Sequence, residues 1–279
     1  MTKLLNANLL RLRKSMLFWG CIILMLLLGA GFTLQRYWEQ LTYAEFGQLS
    51  YLDEVLFRHG LLIGIVAAVF VPMFFGMEYS DGAIRNKMVV GHSRLSIYFA
   101  NLITAVASSL AFCAAYILAV LALGVPLLNG IRLAAAQCAL FMLGTLVLSA
   151  AFSSLYTFVS MLCARKAASA VACILGVFLL LFAGIYINSR LNAPEFLREY
   201  SLNVNGQVVE EEPEPNPQYP RGVEREVYQF LYDFLPGCQS IQYGDMSVEN
   251  PARLAAYSLV ILTVSTGAGV ALFRRKDLK

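Results

Sequence analysis

Charge is scarce in this sequence. Only 14% of its 279 residues are Asp, Glu, Lys or Arg, against about 25% in an ordinary soluble domain. The mean hydropathy is +0.64 and 58% of residues are hydrophobic. Several runs long enough to cross a bilayer carry no ionisable side chain at all, which excludes a soluble globular class and defines an integral membrane protein. The same absence disfavours self-contained ion-coupled transport, because proton and ion pathways are marked by ionisable groups inside the membrane.

Other absences narrow the chemistry. The phosphate-cradling pattern GxxxxGK[ST] is missing, so the chain is not expected to be its own ATPase. There are six cysteines and two histidines, with no CxxC and no Cys/His cluster to hold a metal. Cys21, Cys113, Cys138 and Cys173 fall inside apolar runs and Cys163 at a boundary, where each reads as a small buried residue. Cys238 alone is expected to face outward, without a partner for a bridge. His59 and His92 are isolated and read as solvated boundary residues. No Ser/His/Asp or paired-carboxylate constellation marks a membrane enzyme, and nothing points to a nucleic acid or to a cofactor bound by this chain.

What is present is a sequence of six apolar runs, at about 16–34, 61–77, 97–123, 133–162, 168–187 and 254–273. Their lengths suit a hydrocarbon core about 30 Å thick, and the fourth, at about thirty residues, should tilt, kink or protrude. The expected fold is an all-α polytopic membrane protein, a single transmembrane domain over 1–279. Ahead of the first run, Leu4, Leu5, Leu9 and Leu12 recur at helical spacing, with Lys3, Arg11, Arg13 and Lys14 on other faces. This is either an interfacial helix over 1–15 or a plain tail. A cleaved signal peptide is disfavoured, since its apolar core is about 7–15 residues long. The segment 188–251 is the sizeable hydrophilic region. Its centre, 210–222, is acidic and proline-rich and reads as a solvated loop. Val223, Val227, Phe230, Leu231, Phe234 and Leu235 then share one helical arc, ended by Pro236 and Gly237, on the membrane surface or packed on its own loop.

Between the second and third runs lies a charged island, EYSDGAIRNKMVVGHSRLS, residues 78–96. It must sit in water. Ser80 or Asp81 can cap a helix, Ile84 and Met88 form an i, i+4 apolar pair, and Gly91 can supply the left-handed residue that ends it. Arg85 and Lys87 are expected to point outward. The alternatives are a helix of roughly nine residues shown to a soluble partner and a merely solvated loop. Charge sets the orientation. Lys3, Arg11, Arg13, Lys14, Arg85, Lys87, Arg94, Arg165, Lys166, Arg274, Arg275, Lys276 and Lys279 gather on one side with only Glu78, Asp81 and Asp277. By the positive-inside rule that side, with both termini, is cytoplasmic.

Four stretches carry a resemblance: LLRLRKSMLFW at the start, EYSDGAIRNKMVVGHSRLSIYFANLI in the island, FLPGCQSIQY before the last run, and ALFRRKDLK at the end. In these the chain resembles the permease subunits of bacterial type-2 ABC exporters, of the Gram-positive peptide and antibiotic-resistance kind. The resemblance implies a six-span domain in the bacterial cytoplasmic membrane, paired with a second copy or a sister permease. It also implies two ATPase subunits that bind ATP and Mg and hydrolyse the nucleotide. Residues 81–91 then look like the coupling helix, with Glu78, Asp81, Ile84, Arg85, Lys87, Met88 and Gly91 as the coupling residues. Residues 1–15 look like an elbow helix and 223–235 like an outer re-entrant element. The cargo would be a peptide, an antibiotic or a lipid-like amphiphile; the acid excess of the outer loop suits cationic peptides, or is ordinary solvation. The rival reading is a membrane scaffold or sensor that docks an ATPase without moving cargo.

Overall fold

A computed structural model of the chain describes residues 1–47, 49–163, 165–197, 200–202, 208–210 and 213–276. Six of its helices are long and apolar enough to cross a membrane. They are α2 (Met16–Thr42), α4 (His59–Ser80), α6 (Arg94–Leu127), α7 (Ala135–Leu162), α8 (Lys166–Leu191) and α11 (Pro251–Arg275). Shorter helices fill the connections: α1 (Thr2–Lys14) before the first span, α3 (Asp53–Leu56) before α4, and α5 (Ala83–Val89) between α4 and α6. Between α8 and α11 come α9 (Val223–Phe234) and α10 (Pro236–Gly244). Two antiparallel strand pairs, Phe196–Leu197 with Glu214–Pro215 and Tyr200–Leu202 with Val208–Glu210, stand in the same connection. The acidic residues Glu211 and Glu212, and the terminal Asp277, Leu278 and Lys279, lie outside the described residues.

Several helices outrun the apolar segments that announce them. The first continues past Leu34 to Thr42, where the i, i+3 pair Arg36–Glu39 at 2.8 Å supports the exposed turns. The third continues through Gly124 and Pro126 to Leu127. Gly124 is required there by close approach, since a Cβ would collide with Leu52 Cδ1. The fifth begins at Lys166 and ends at Leu191.

Helix α4 is the centre of the bundle. Ile63, Ala67, Phe70, Val71, Phe74 and Phe75 are fully buried among α2, α6, α7 and α8. In a bilayer, helices associate through close packing rather than through water exclusion, so small residues mark the contacts. Gly64 lies under the Phe152 ring and its carbonyl accepts from Tyr156 Oη at 2.9 Å. Gly29 of α2 fits against the Tyr116 carbonyl of α6.

At the end of the bundle remote from the termini, two expectations are corrected. His59 is fully buried, not solvated: Nδ1 donates to the Leu56 carbonyl at 2.8 Å and Nε2 meets Thr145 Oγ1 at 3.0 Å. Cys238 is also fully buried, because Pro236 starts a helix rather than ending one. Proline at N1 lacks only an amide that the helix would leave unbonded. Helix α10 is buried along its whole length between α8, α4 and α7. Gly237 touches the Leu180 carbonyl, and Tyr243 fills the notch left by Gly144. The apolar arc of α9 is divided: Val223, Val227 and Phe230 are exposed, whereas Leu231 and Leu235 pack on Ile187, Tyr232 and Cys238. Helix α10 enters the bundle, and α9 packs beside it against α8 and α11.

Candidate functional site

The end of the bundle that carries both termini is organised by one carboxylate. Glu78, in the last turn of α4, is 1% exposed. Its Oε1 accepts from Arg11 Nη1 of α1 at 2.7 Å and from Lys87 Nζ of α5 at 2.6 Å. Its Oε2 accepts from Asn101 Nδ2 of α6 at 3.1 Å. Asn8 of α1 closes the ring: its Nδ2 donates to Asn101 Oδ1 at 2.8 Å, and its Oδ1 accepts from Lys87 Nζ at 3.1 Å. Arg11 is held further by the Phe74 carbonyl at 3.1 Å and lies 4.0 Å from the centre of the Phe74 ring. An ion withdrawn from water costs several kcal/mol unless opposite charge and hydrogen bonds replace the solvent. Here two cations and an amide do so.

This arrangement corrects two readings of the island. Glu78 is not in water, and Lys87 does not point outward; its side chain is 16% exposed and turned onto the carboxylate. Arg85 does face out, with Asp81 and Asn86. The helix has seven residues, preceded by Gly82 at φ 66° with no side-chain cap from Ser80 or Asp81. Gly91 takes φ 93°, the left-handed conformation expected of the residue beyond the helix. Ile84 is buried with Leu4, Ile97, Tyr98, Met161 and Phe273, and Met88 packs on the same cluster. Burying one such aliphatic side chain contributes roughly 1.5–3 kcal/mol. The opposite face of α5 carries an apolar tip, with Val89 82% and Val90 76% exposed.

A second anchor binds the last span to the same place. Arg94 Nη1, in the first turn of α6, donates to the carbonyls of Phe273 at 3.3 Å and Arg274 at 2.9 Å, and also to that of Lys276. These are carbonyls that the end of α11 leaves without helical partners. Lys276 Nζ reaches Tyr79 Oη and the Met161 carbonyl, both at 3.2 Å. Burial lowers the Lys276 pKa from its ordinary value, against a smaller opposing effect of Cys163.

The structure therefore brings Glu78, Lys87, Ile84 and Met88 into one junction and leaves Asp81, Arg85 and Gly91 at its outer surface. Asn8, Arg11 and Asn101 complete the junction, and Val89 and Val90 the surface. The signals for these were slight. Asn101 is an uncharged amide in an apolar run, and Asn8 a polar residue among the leucines of α1. Among the described residues no group of three His, Cys, Asp or Glu could hold a metal ion.

Residues 4–184 match the family described as ABC-2 family transporter protein. The match takes in α1, the whole Glu78 junction, α5 and the spans up to Gly184 of α8; α9, α10 and α11 lie beyond it. No curated protein matches the sequence. Partnership with an ATPase subunit goes with that family. A multi-pass chain with six membrane-length helices, matched over more than half its length, belongs to the ABC-2 transporter family and is a membrane permease subunit of an ABC transporter.

Proposed function

We propose that this permease exports a peptide, antibiotic or lipid-like amphiphile from a bacterial cell, driven by two ATPase subunits that dock on the exposed face of α5. The chain itself is non-catalytic; ATP and Mg are bound by the partners. Two permeases, either two copies or this chain and a sister, form the cargo path where they meet. Both termini and α5 lie on the cytoplasmic side, in keeping with the basic residues collected there.

The observation that carries this reading is the Glu78 junction. Helix α5 hangs between two spans and is tied by Lys87 to α4, by Asn8 to α1 and, through Ile84, to α6, α7 and α11. A displacement of α5 cannot be absorbed locally, because packed cores and buried ion pairs have discrete arrangements rather than continuous ones. ATP-driven closure of the partners would shift the spans together and switch access to the cavity. Such a switch is biased only to the extent that nucleotide-bound and nucleotide-free partners hold α5 differently.

Arg85→Glu and Val89→Asp test the docking face, since both side chains are exposed. Each variant should insert and purify as the wild type, with loss of ATPase co-purification and of transport. Normal export by both would sink the proposal; retained ATPase binding with no cargo movement in the wild type would favour the scaffold or sensor reading.

A further inference from the structure

Helices α6 and α11 meet near the termini, where Tyr98 lies against Gly269, and then diverge over α7. Between them opens an apolar groove of about 740 Å³, walled by Phe99, Ile103 and Leu110 and floored by the small residues Ala107, Ala150 and Gly267. Its two polar side chains have partners within the protein: Thr263 Oγ1 lies 2.9 Å from the Leu259 and Val260 carbonyls, and Thr266 Oγ1 lies 3.4 Å from Ser154 Oγ. From Phe99 to Leu110 the wall is about 16 Å long at 1.5 Å per residue. That is close to half of a hydrocarbon core about 30 Å thick, so the groove has the depth of a single leaflet, the one on the side of the termini. Along α11, Thr263, Gly267 and Arg274 share a stripe at i, i+4 and i+11. Arg274 is exposed at the aqueous end of that stripe and has no ion-pair partner among the described residues.

We propose that this groove is a lipid site, holding one acyl chain of an anionic phospholipid from the termini-side leaflet with its phosphate at Arg274. The groove selects a chain by shape and length, and the arginine selects the head group by charge. A zwitterionic lipid satisfies only the first condition. The site lies on α6 and α11 and is independent of the ATPase-docking face.

The test places the purified chain in nanodiscs of mixed phosphatidylglycerol and phosphatidylcholine, one or the other carrying a photoactivatable acyl chain, and maps adducts by peptide mass spectrometry. Phosphatidylglycerol adducts should concentrate on 99–110 and 262–267, several-fold above those on the exposed α8 residues Leu175 and Phe182. Arg274→Gln should cut the preference for phosphatidylglycerol roughly fivefold, the Boltzmann factor of the attraction one surface arginine exerts on an anionic lipid. Gly267→Leu should fill the floor and lower labelling of both lipids there, and it should fold, because a Cβ at 267 meets nothing within 4 Å. Labelling spread evenly over α8 and the groove, or unchanged in both variants, would overturn the site. So would a Gly267→Cys variant that oxidises quantitatively to a dimer, which would make the groove a contact between copies of the chain.

Discussion

Glu78 holds two cations, and removing it differs from removing either of them. Glu78→Gln leaves Arg11 and Lys87, whose side chains are 33% and 16% exposed, facing each other without the buried carboxylate; the loss should fall below the roughly 3–5 kcal/mol of a fully buried broken pair, because water reaches both cations. Lys87→Met keeps the Arg11–Glu78 pair at 2.7 Å and should cost less. The double variant Glu78→Gln, Lys87→Met should recover part of the loss, and chemical unfolding of the three variants and the wild type measures the coupling. Equal stability of Glu78→Gln and wild type would show that the carboxylate is solvated after all. Cys238 offers an independent check on burial. Its thiol has no exposed surface and burial pushes its pKa up to about 12, so little thiolate forms near neutral pH. A membrane-impermeant maleimide should leave it unlabelled in intact membranes and modify it after denaturation.

Helices α5 and α10 are both short, and both owe their positions to glycine and to packing rather than to length. Gly144→Ala would drive a Cβ into Tyr243 Oη, and Gly237→Ala one into the Leu180 carbonyl. Either should expel α10 and lower the unfolding temperature of the purified protein. Gly176→Ala in α8 meets nothing within 4 Å, and should change stability by no more than about 1 kcal/mol. The six spans were legible because uncharged runs of such length have one stable fate in a bilayer. Their ends were not, because Gln35 to Thr42 and Gly124 to Leu127 are held helical by an ion pair and by close packing that hydropathy does not register. Helix α10 was hidden for a related reason: Pro236 and Gly237 read as a stop, yet the first begins a helix and the second allows it to touch α8. The same holds in the junction. Gly91 and the Ile84–Met88 pair follow from local spacing, whereas the inward turn of Lys87 depends on the burial of Glu78 and on Asn8, 79 residues away.

The molecule as a whole has two differently built ends. Where the termini gather, buried ions and helix-end carbonyls tie α1, α5, α6 and α11 to α4. At the other end α10 fills the bundle, and Gln239 Nε2 and Gln242 Nε2 donate to the Asp233 and Tyr232 carbonyls at 2.7 and 2.8 Å. Asp233 pairs with Arg253 at 2.6 Å, and burial raises its pKa although Arg253 opposes the shift. Force applied at the first end would pass along continuous spans about 40 Å long to a second end that is itself packed. The most direct measurement is photo-crosslinking from Val89 in native membranes, with Phe230 of α9 as the comparison. An adduct from position 89 to a subunit carrying GxxxxGK[ST], with none from 230, is the predicted result; an adduct from 230 and none from 89 would contradict the account.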